Sequence, residues 1–311
     1  MNKEIPKPEN LKAVYCYYFP ETRRIITEVT RNYPHDIYLQ SLKPGLDDYH
    51  KPVVLEYLKT FKNQLPGLEY YPFQYVTAGA SEGIFHLLAR IAAFEPETPL
   101  YILQGEYEGY QGYGGNLGLK FQIVTPEQKV EDLKPGIFFV SNPSARDGNI
   151  IPNEEIIKIG EAGHRINLDV TYVGLTEPHE FMVTHPSIES VVVSLSKPYG
   201  LYYYRSGFLF SKKEYKTLEV NKWFKNVLTL EISRQALTRL KSSELAAIHR
   251  PTQKLALTKL KEDFGVTAFP SDVLLLAHAE TAPETLEICN RKSNYRFCLT
   301  PYFLIQERGH I

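Results

Sequence analysis

The sequence has few cysteines and no long apolar run. Only Cys16, Cys289 and Cys298 occur among 311 residues, and no two of them form a CxxC pair. A disulfide framework and a cysteine-rich zinc site are therefore not indicated. No segment approaches the roughly 18 apolar residues of a membrane span, and the first ten residues, MNKEIPKPEN, lack the apolar core of a signal peptide. We therefore expect a soluble protein of the reducing cytoplasm.

An excess of charge of one sign is also lacking. The net charge is -1 at pH 7, and no lysine- or arginine-rich run is present. Nucleic acid is therefore not an expected partner. The nine histidines are scattered, and none has an HExxH or similar spacing, so no metal site is indicated. With 43% hydrophobic and 23% charged residues, the chain is long enough to form one large domain or two unequal ones.

Short apolar runs alternate with helical patterns up to about residue 212, which predicts an α/β fold with a mainly parallel central sheet. Beyond this point the sequence changes to charged amphipathic helices and a short strand-rich end, VLLLAHAE and YRFCLTPY, which indicates a smaller α+β domain. The strand candidates are Tyr75-Val76-Thr77, LYILQ (100–104), GIFFV (136–140), RINLD (165–169) and SVVVSLS (190–196), and the helical patterns include IFHLLARIAAF (84–94) and NEEIIKIGEAG (153–163).

Polar side chains follow the predicted strands, at the point where each strand ends. In an open parallel sheet the carboxyl ends of the strands face one crevice, where ligands bind. We therefore expect these side chains to converge on a common site. In chain order they are Ser81, Tyr107, Asn142, Asp169 with Tyr172, and Lys197.

The predicted site has the groups that a phosphorylated aromatic cofactor would use. Ala80 and Ser81 open a helix, so their backbone N–H groups and the positive end of the helix dipole suit a phosphate. Arg205 and the Ser194 hydroxyl could complete this anion site, because a guanidinium pairs with phosphate through two parallel hydrogen bonds. The remaining groups are the carboxylate of Asp169 for a basic ring nitrogen, the polar groups of Asn142 and Tyr172, the flat ring of Tyr107, and the amine of Lys197 for a covalent link.

Six motifs, taken in order, resemble those of the fold-type I pyridoxal 5′-phosphate (PLP)-dependent enzymes, specifically the class I/II aminotransferase group. The resemblance implies the PLP-dependent transferase fold of type I. It also implies a large PLP-binding domain at residues 45–225, and an N-terminal arm at residues 1–44 that joins a small domain at residues 226–311. The motifs are TAGASEG (77–83), EYEGY (106–110), SNP (141–143), LDVTY (168–172), SLSKPYGLYYYRSG (194–207) and YRFCL (295–299).

The resemblance implies a role for each matching residue. Lys197 resembles the lysine that forms a Schiff base with the cofactor and moves a proton in catalysis, and Asp169 the carboxylate that keeps the pyridine nitrogen protonated. Arg296 resembles the arginine that clamps the substrate α-carboxylate, although Arg291, five residues away, could compete for this role. The implied cofactor contacts are Ala80, Ser81, Ser194, Ser196 and Arg205 at the phosphate, Asn142 and Tyr172 at the phenolic oxygen, and Tyr107 on the ring face.

The resemblance also implies a reaction and an assembly. The expected activity is transfer of an amino group between an amino acid and a 2-oxo acid. A PLP-dependent lyase, decarboxylase or cyclase of the same fold stays open, as does a PLP-binding protein without turnover. A homodimer with shared active sites is expected, with Tyr49 as a candidate for the tyrosine that the neighbouring subunit contributes.

One competing motif is the glycine-rich stretch GYGGNLG, residues 112–118. It resembles a dinucleotide-binding loop, which would make the protein an oxidoreductase. Such a loop joins a strand to a helix. Here the preceding strand candidate ends about eight residues earlier, and the following LKFQIV has the pattern of a strand. The context therefore favours the PLP enzyme.

Overall fold

A seven-stranded sheet forms the centre of the molecule, whose computed structural model describes residues 5–31, 47–221 and 226–308. The strand order is β1-β7-β6-β5-β4-β2-β3. Strand β7 is antiparallel to both of its neighbours, and all other adjacent pairs are parallel. The predicted α/β fold with a mainly parallel sheet is thereby confirmed. The strands are β1 Phe73–Thr77, β2 Leu100–Leu103, β3 Phe121–Val124, β4 Ile137–Ser141, β5 Arg165–Asp169, β6 Ile188–Ser194 and β7 Gly207–Ser211.

The middle strands are apolar because helices cover both faces of the sheet, so that neither alternate set of side chains meets water. Every residue of β4 is buried, as are Val191, Val192 and Val193 in β6. The helices are α1 Pro8–Lys12, α2 Pro20–Arg31, α3 Asp47–Thr60, α4 Ala80–Phe94, α5 Glu108–Asn116, α6 Asn153–Glu161, α7 Lys216–Asn221, α8 Val227–Arg239, α9 Glu244–Phe264 and α10 Thr300–Arg308.

The glycine-rich stretch does not lie in a dinucleotide-binding context. Gly112, Gly114 and Gly115 belong to α5, which ends at Asn116, and strand β3 begins at Phe121. The order is therefore helix, turn and strand, the reverse of the order that a phosphate-binding loop requires. This arrangement bears out the rejection of the oxidoreductase reading.

A second, antiparallel sheet has the order β10-β9-β8, with strands Phe269–Pro270 (β8), Leu276–Ala279 (β9) and Tyr295–Cys298 (β10). The predicted strand-rich end is present, but its last part is helical. Helix α10 begins at Thr300, and Pro301 occupies its first turn, where a proline costs no hydrogen bond. The N-terminal segment packs on this region, since Thr300 Oγ1 donates to the Tyr15 carbonyl at 2.9 Å. The division into domains at residues 45–225 stays a prediction.

Candidate active site

A cavity of about 500 Å³ lies at the carboxyl ends of the central strands. Strand β4 ends at Ser141, β5 at Asp169 and β6 at Ser194. Because these neighbouring strands are parallel, their last residues lie at the same edge of the sheet. All but one of the residues predicted for the site line this cavity. They are Ala80, Ser81, Tyr107, Asp169, Tyr172, Ser194, Ser196, Lys197, Arg205 and Arg296.

Lys197 lies three residues after the end of β6, and its amine is largely shielded from water. The ammonium Nζ donates to the Val14 carbonyl of the N-terminal segment and lies 5.6 Å from the centre of the Tyr202 ring. Burial lowers the pKa of Lys197, because desolvation disfavours the charged form. At neutral pH a larger fraction of this amine is therefore unprotonated, which is the form that acts as a nucleophile or as a general base.

The start of α4 forms an anion-binding end of the cavity. Gly79 precedes the helix at φ +82°, and in the part of the chain that the structure describes no side chain caps the first backbone N–H groups. Arg205 Nη2 donates to the Ala78 carbonyl at 3.0 Å, which holds the guanidinium against this turn. A Cβ added at Gly79 would lie 2.9 Å from that nitrogen. Glycine is therefore required both by the backbone conformation and by the approach of the arginine.

Serine hydroxyls and the Tyr202 ring complete the wall around Arg205. The guanidinium carbon lies 5.4 Å from the centre of the Tyr202 ring. Ser194 Oγ accepts a hydrogen bond from the Ser196 backbone N–H at 3.1 Å. The Ser196 hydroxyl is buried and has no hydrogen-bond partner among the described residues. A buried hydroxyl without a hydrogen-bond partner carries an uncompensated desolvation penalty. A hydrogen bond to a ligand oxygen in the cavity would offset this penalty.

Asp169 is a buried carboxylate with two donors. Its Oδ1 accepts from the Thr171 backbone N–H at 2.9 Å, and its Oδ2 accepts from the Tyr110 hydroxyl at 3.1 Å. Burial raises the pKa of Asp169, and hydrogen bonding to Thr171 and Tyr110 opposes the rise. Neither donor is a cation, and within the described residues Asp169 has no ion-pair partner. A protonated ring nitrogen in the cavity would supply one.

Tyr110 is a site residue that the sequence reasoning missed. Its side chain is fully buried, and its ring meets that of Tyr107 edge-on with centres 5.4 Å apart. The two tyrosines are three residues apart at the start of a helix, and this spacing places them on one face. Gly109 lies between them, because a Cβ there would come within 2.2 Å of the Tyr107 ring. The EYEGY motif thus fixes both rings.

Asn142 is the predicted residue that does not line the cavity. Its side-chain nitrogen donates to the Ile151 carbonyl and its Oδ1 accepts from the Ile151 N–H, both at 2.9 Å. These two bonds satisfy the amide and tie down the loop between β4 and α6. Tyr172, the other residue predicted at the phenolic oxygen, does line the cavity. A cofactor contact for Asn142 stays a prediction.

Arg296 reaches the cavity from β10 of the small sheet. The guanidinium donates to the Ala145 carbonyl and, at 2.9 Å, to the Lys12 carbonyl. The residue is only 3% exposed, and its Nε is buried without a hydrogen-bond partner among the described residues. A buried cation with only neutral partners favours an anion nearby. A substrate carboxylate would provide that anion.

Glu106 is a second buried carboxyl beside the cavity, and the sequence reasoning assigned it no role. One oxygen accepts from the Ser141 hydroxyl at 2.5 Å and from the Tyr107 N–H at 3.3 Å. The other oxygen, Oε1, is buried without a hydrogen-bond partner within the described residues. Burial raises the pKa of Glu106 to about 7, against the opposing hydrogen bond from Ser141 and the charge of Arg146.

We expect Glu106 to make the stability of the cofactor-free protein depend on pH. The folded pKa of about 7 exceeds the ordinary 4.5, so the folded state holds the proton more tightly than the unfolded chain. The free energy of unfolding should therefore fall as the pH rises through this range. Glu106→Gln cannot titrate. Urea unfolding should show the variant gaining about 2–4 kcal/mol relative to the unmutated protein between about pH 5 and pH 8. Parallel pH profiles for the two proteins would contradict this expectation.

The residues that line the cavity fit PLP. An uncapped helix N-terminus with Arg205 suits the phosphate, Asp169 suits a protonated ring nitrogen, and Lys197 suits the aldehyde. The unpaired Ser196 hydroxyl adds a free polar group on the same wall.

Within the described ranges, no group of three or more His, Cys, Asp or Glu side chains could hold a metal ion. No helix in those ranges is long and apolar enough to cross a membrane.

The fold and the cavity define a fold-type I PLP-dependent enzyme. The family model for aminotransferase class I and II matches residues 53–264. The chain belongs to this family, as its motifs predicted. A comparison with curated protein sequences found no significant match.

Solved structures of PLP-enzyme fold cover almost the whole chain. Histidinol-phosphate aminotransferase from Sinorhizobium meliloti, in complex with PLP, covers 100% of this chain and 96% of its own, with 12% identity and a TM-score of 0.66. The match to L-threonine-O-3-phosphate decarboxylase from Porphyromonas gingivalis covers 97% of this chain and 98% of the decarboxylase, with 14% identity and a TM-score of 0.67. The match to the PLP-bound C–S lyase from Staphylococcus hominis covers 96% of this chain and 89% of the lyase, with 10% identity and a TM-score of 0.69.

At these identities the structural similarity shows the fold and leaves the reaction open. The three proteins catalyse different reactions on one architecture. The predicted cofactor, PLP, is confirmed by the family match together with the PLP-containing S. meliloti structure.

Proposed function

We propose that the chain is a PLP-dependent aminotransferase, which moves an amino group between an amino acid and a 2-oxo acid. One observation carries this proposal. A single cavity brings together a shielded lysine, Lys197, a buried carboxylate, Asp169, and an arginine beside a helix N-terminus, Arg205. Among the described residues, Asp169 has no cationic partner and no side chain caps that helix. Each of these three groups matches a different part of PLP.

The proposed roles follow from the properties of each side chain. When bound, PLP supplies an electron sink for the electron pair left when a bond to the substrate α-carbon breaks. Asp169 holds the proton on the ring nitrogen by charge. Lys197 Nζ would hold the aldehyde of the cofactor, and as a free amine it would accept the α-proton of the substrate, a role that its lowered pKa favours because less protonation has to be overcome at neutral pH. The remaining cofactor contacts are proposed for Ala80, Ser81, Ser194, Ser196 and Arg205 at the phosphate, Tyr107 at the ring face, and Asn142 and Tyr172 at the phenolic oxygen.

Arg296 is proposed to bind the substrate α-carboxylate. Its guanidinium is oriented by the Ala145 and Lys12 carbonyls, and its Nε has no partner among the described residues. A carboxylate held by a fixed arginine orients the α-carbon, and orientation alone can supply a large part of the rate acceleration. The Lys12 contact also means that the N-terminal segment takes part in shaping this end of the cavity.

The transaminase proposal is tested by the product balance of a single half-reaction. An amino acid added without a 2-oxo acid should release one equivalent of its own 2-oxo acid per active site and then stop, because the amino group stays on the enzyme. A second 2-oxo acid should restart turnover with ping-pong kinetics. Release of carbon dioxide, or continuous turnover without an acceptor, would instead establish a decarboxylase, lyase or cyclase.

Arg205 is expected to contribute chiefly to cofactor affinity. Arg205→Ala removes a charge-assisted hydrogen bond, which should weaken PLP binding about 10- to 100-fold. Fluorescence titration of the cofactor-free protein with PLP measures the change. Arg239→Ala is the matched control, because Arg239 is an exposed arginine of α8 paired with Glu28. Equal loss of affinity in the two variants would contradict the phosphate-binding role of Arg205.

A homodimer and a cytoplasmic location are further proposals that accompany the family assignment. One surface feature is consistent with a partner subunit. Tyr203 is 90% exposed, and it lies two residues before Arg205. Aromatic side chains are enriched at subunit interfaces relative to the rest of the protein surface. Tyr49, the candidate for a residue contributed across the interface, packs against the hydrophobic core in this chain.

A further inference from the structure

Arg291 is a second arginine from the small domain that lines the cavity. It lies on a tight hairpin, where its backbone N–H donates to the Asn294 carbonyl at 2.7 Å. Lys292 has φ +72°, and its N–H donates to Asn290 Oδ1 at 2.7 Å. The backbone at Arg291 is therefore fixed by local hydrogen bonds, and the arginine is presented to the cavity from a rigid turn.

The partner of Arg291 is a carboxylate that water already solvates. Arg291 Nη1 lies 2.7 Å from Glu108 Oε1, and the side chains are 12% and 67% exposed respectively. An ion pair with one well-exposed member contributes little stability. A ligand carboxylate could therefore replace Glu108 at a small cost, while the shielded guanidinium would stay in place.

More charged side chains line the cavity than PLP alone would contact. PLP accounts for Arg205, Lys197 and Asp169 in the proposed function. Arg296 then remains for one substrate carboxylate, and Arg291 remains with Glu108 as its exchangeable partner. A substrate with one carboxylate would use only one of these two arginines.

We propose that Arg291 binds a second carboxylate of the substrate, at the end of its side chain, by displacing Glu108. The substrate class would then be a dicarboxylic amino acid and the corresponding 2-oxo diacid, an inference that rests on the proposed function. A single guanidinium matches the charge and the planar shape of one carboxylate through two parallel hydrogen bonds. A dianionic phosphate at the end of the substrate would require further hydrogen-bond donors. The helix N-terminus that could supply them is already occupied by the cofactor phosphate in the proposed function.

Binding of unreactive acids tests this inference without any turnover. Calorimetry on the holoprotein compares succinate, glutarate and adipate with the monocarboxylates of equal chain length, butyrate, valerate and hexanoate. At least one diacid should bind about 10- to 100-fold more tightly than its matched monoacid, as one charge-assisted hydrogen bond would give. Arg291→Gln should remove this preference. Glu108→Gln should increase it about two- to fivefold, because the competing internal carboxylate is gone.

Controls separate this inference from the proposed function. Arg239→Gln, outside the cavity, should keep the diacid preference. Failure of every diacid to bind more tightly than its monoacid would overturn the inference, as would equal loss of both ligand classes in Arg291→Gln. Tighter binding of 4-phosphonobutyrate than of glutarate would overturn the choice of carboxylate over phosphate. An Arg291-dependent diacid preference in a protein without transaminase activity would retain the inference and refute the function. Transaminase activity without a diacid preference would retain the proposed function and refute the inference about Arg291.

Discussion

Replacing Lys197 with alanine is expected to abolish turnover while leaving PLP bound. The variant lacks the amine that binds the aldehyde and carries the α-proton, and loss of a general base alone lowers rates about 10²–10⁴-fold. The phosphate contacts at Arg205 and the start of α4 are untouched, so the cofactor should still bind without a covalent link. Single-turnover kinetics with saturating PLP measure the rate, and the absorbance of the dialysed protein measures retention.

Lys254→Ala is the matched control for this variant. Lys254 is exposed on α9, and alanine is the best helix former, so activity should be unchanged. Added small amines should partly restore turnover to Lys197→Ala, because they can supply the missing base in the cavity. Turnover in Lys197→Ala at the level of the control would exclude Lys197 as the catalytic lysine.

Asp169→Asn is expected to have the second largest effect, on rate more than on binding. Asparagine keeps the shape of the side chain but removes the charge that holds a proton on the ring nitrogen. The loss should be on the order of 10²–10³-fold in kcat, the size found when one electrostatic contact to developing charge is removed. Steady-state kinetics and PLP titration of the same preparation separate the two effects.

Tyr110→Phe provides the comparison for this variant. It deletes the hydroxyl that donates to Asp169 Oδ2 and leaves the carboxylate with the Thr171 N–H. A neutral hydrogen bond contributes only about 0.5–1.5 kcal/mol, so the rate should fall by about tenfold or less. Equal losses in the two variants would show that Asp169 acts through packing and not through its charge.

The positions of Asp169, Lys197 and Arg205 were predictable because each follows from local sequence. Asp169 is the last residue of a buried strand, another buried strand ends three residues before Lys197, and parallel strands bring their carboxyl ends to one edge. The glycine before α4 similarly marks the turn that the anion site requires. Resemblance to the class I/II aminotransferases then supplied the roles, and the family match bears out that membership.

The contacts that escaped prediction join residues far apart in the chain. Arg291 and Glu108 are separated by 183 positions, and no local pattern links a hairpin tip to the first turn of a helix. Tyr110 was quoted in a motif without a role, because its hydrogen bond to Asp169 depends on how α5 packs on the sheet. Asn142 shows the converse. Its motif predicts a cofactor contact, which stays a prediction, whereas its contact with the Ile151 backbone depends on the path of the following loop and has no sequence signal.

The central claim is that Lys197 binds PLP in this cavity, and borohydride reduction of the holoprotein tests it most directly. Reduction converts a lysine–aldehyde link into a stable secondary amine, which mass spectrometry locates after proteolysis. We expect the added mass on the peptide that contains Lys197, with none on the exposed Lys254. Label on another lysine, or a holoprotein that carries no reducible link, would contradict the account.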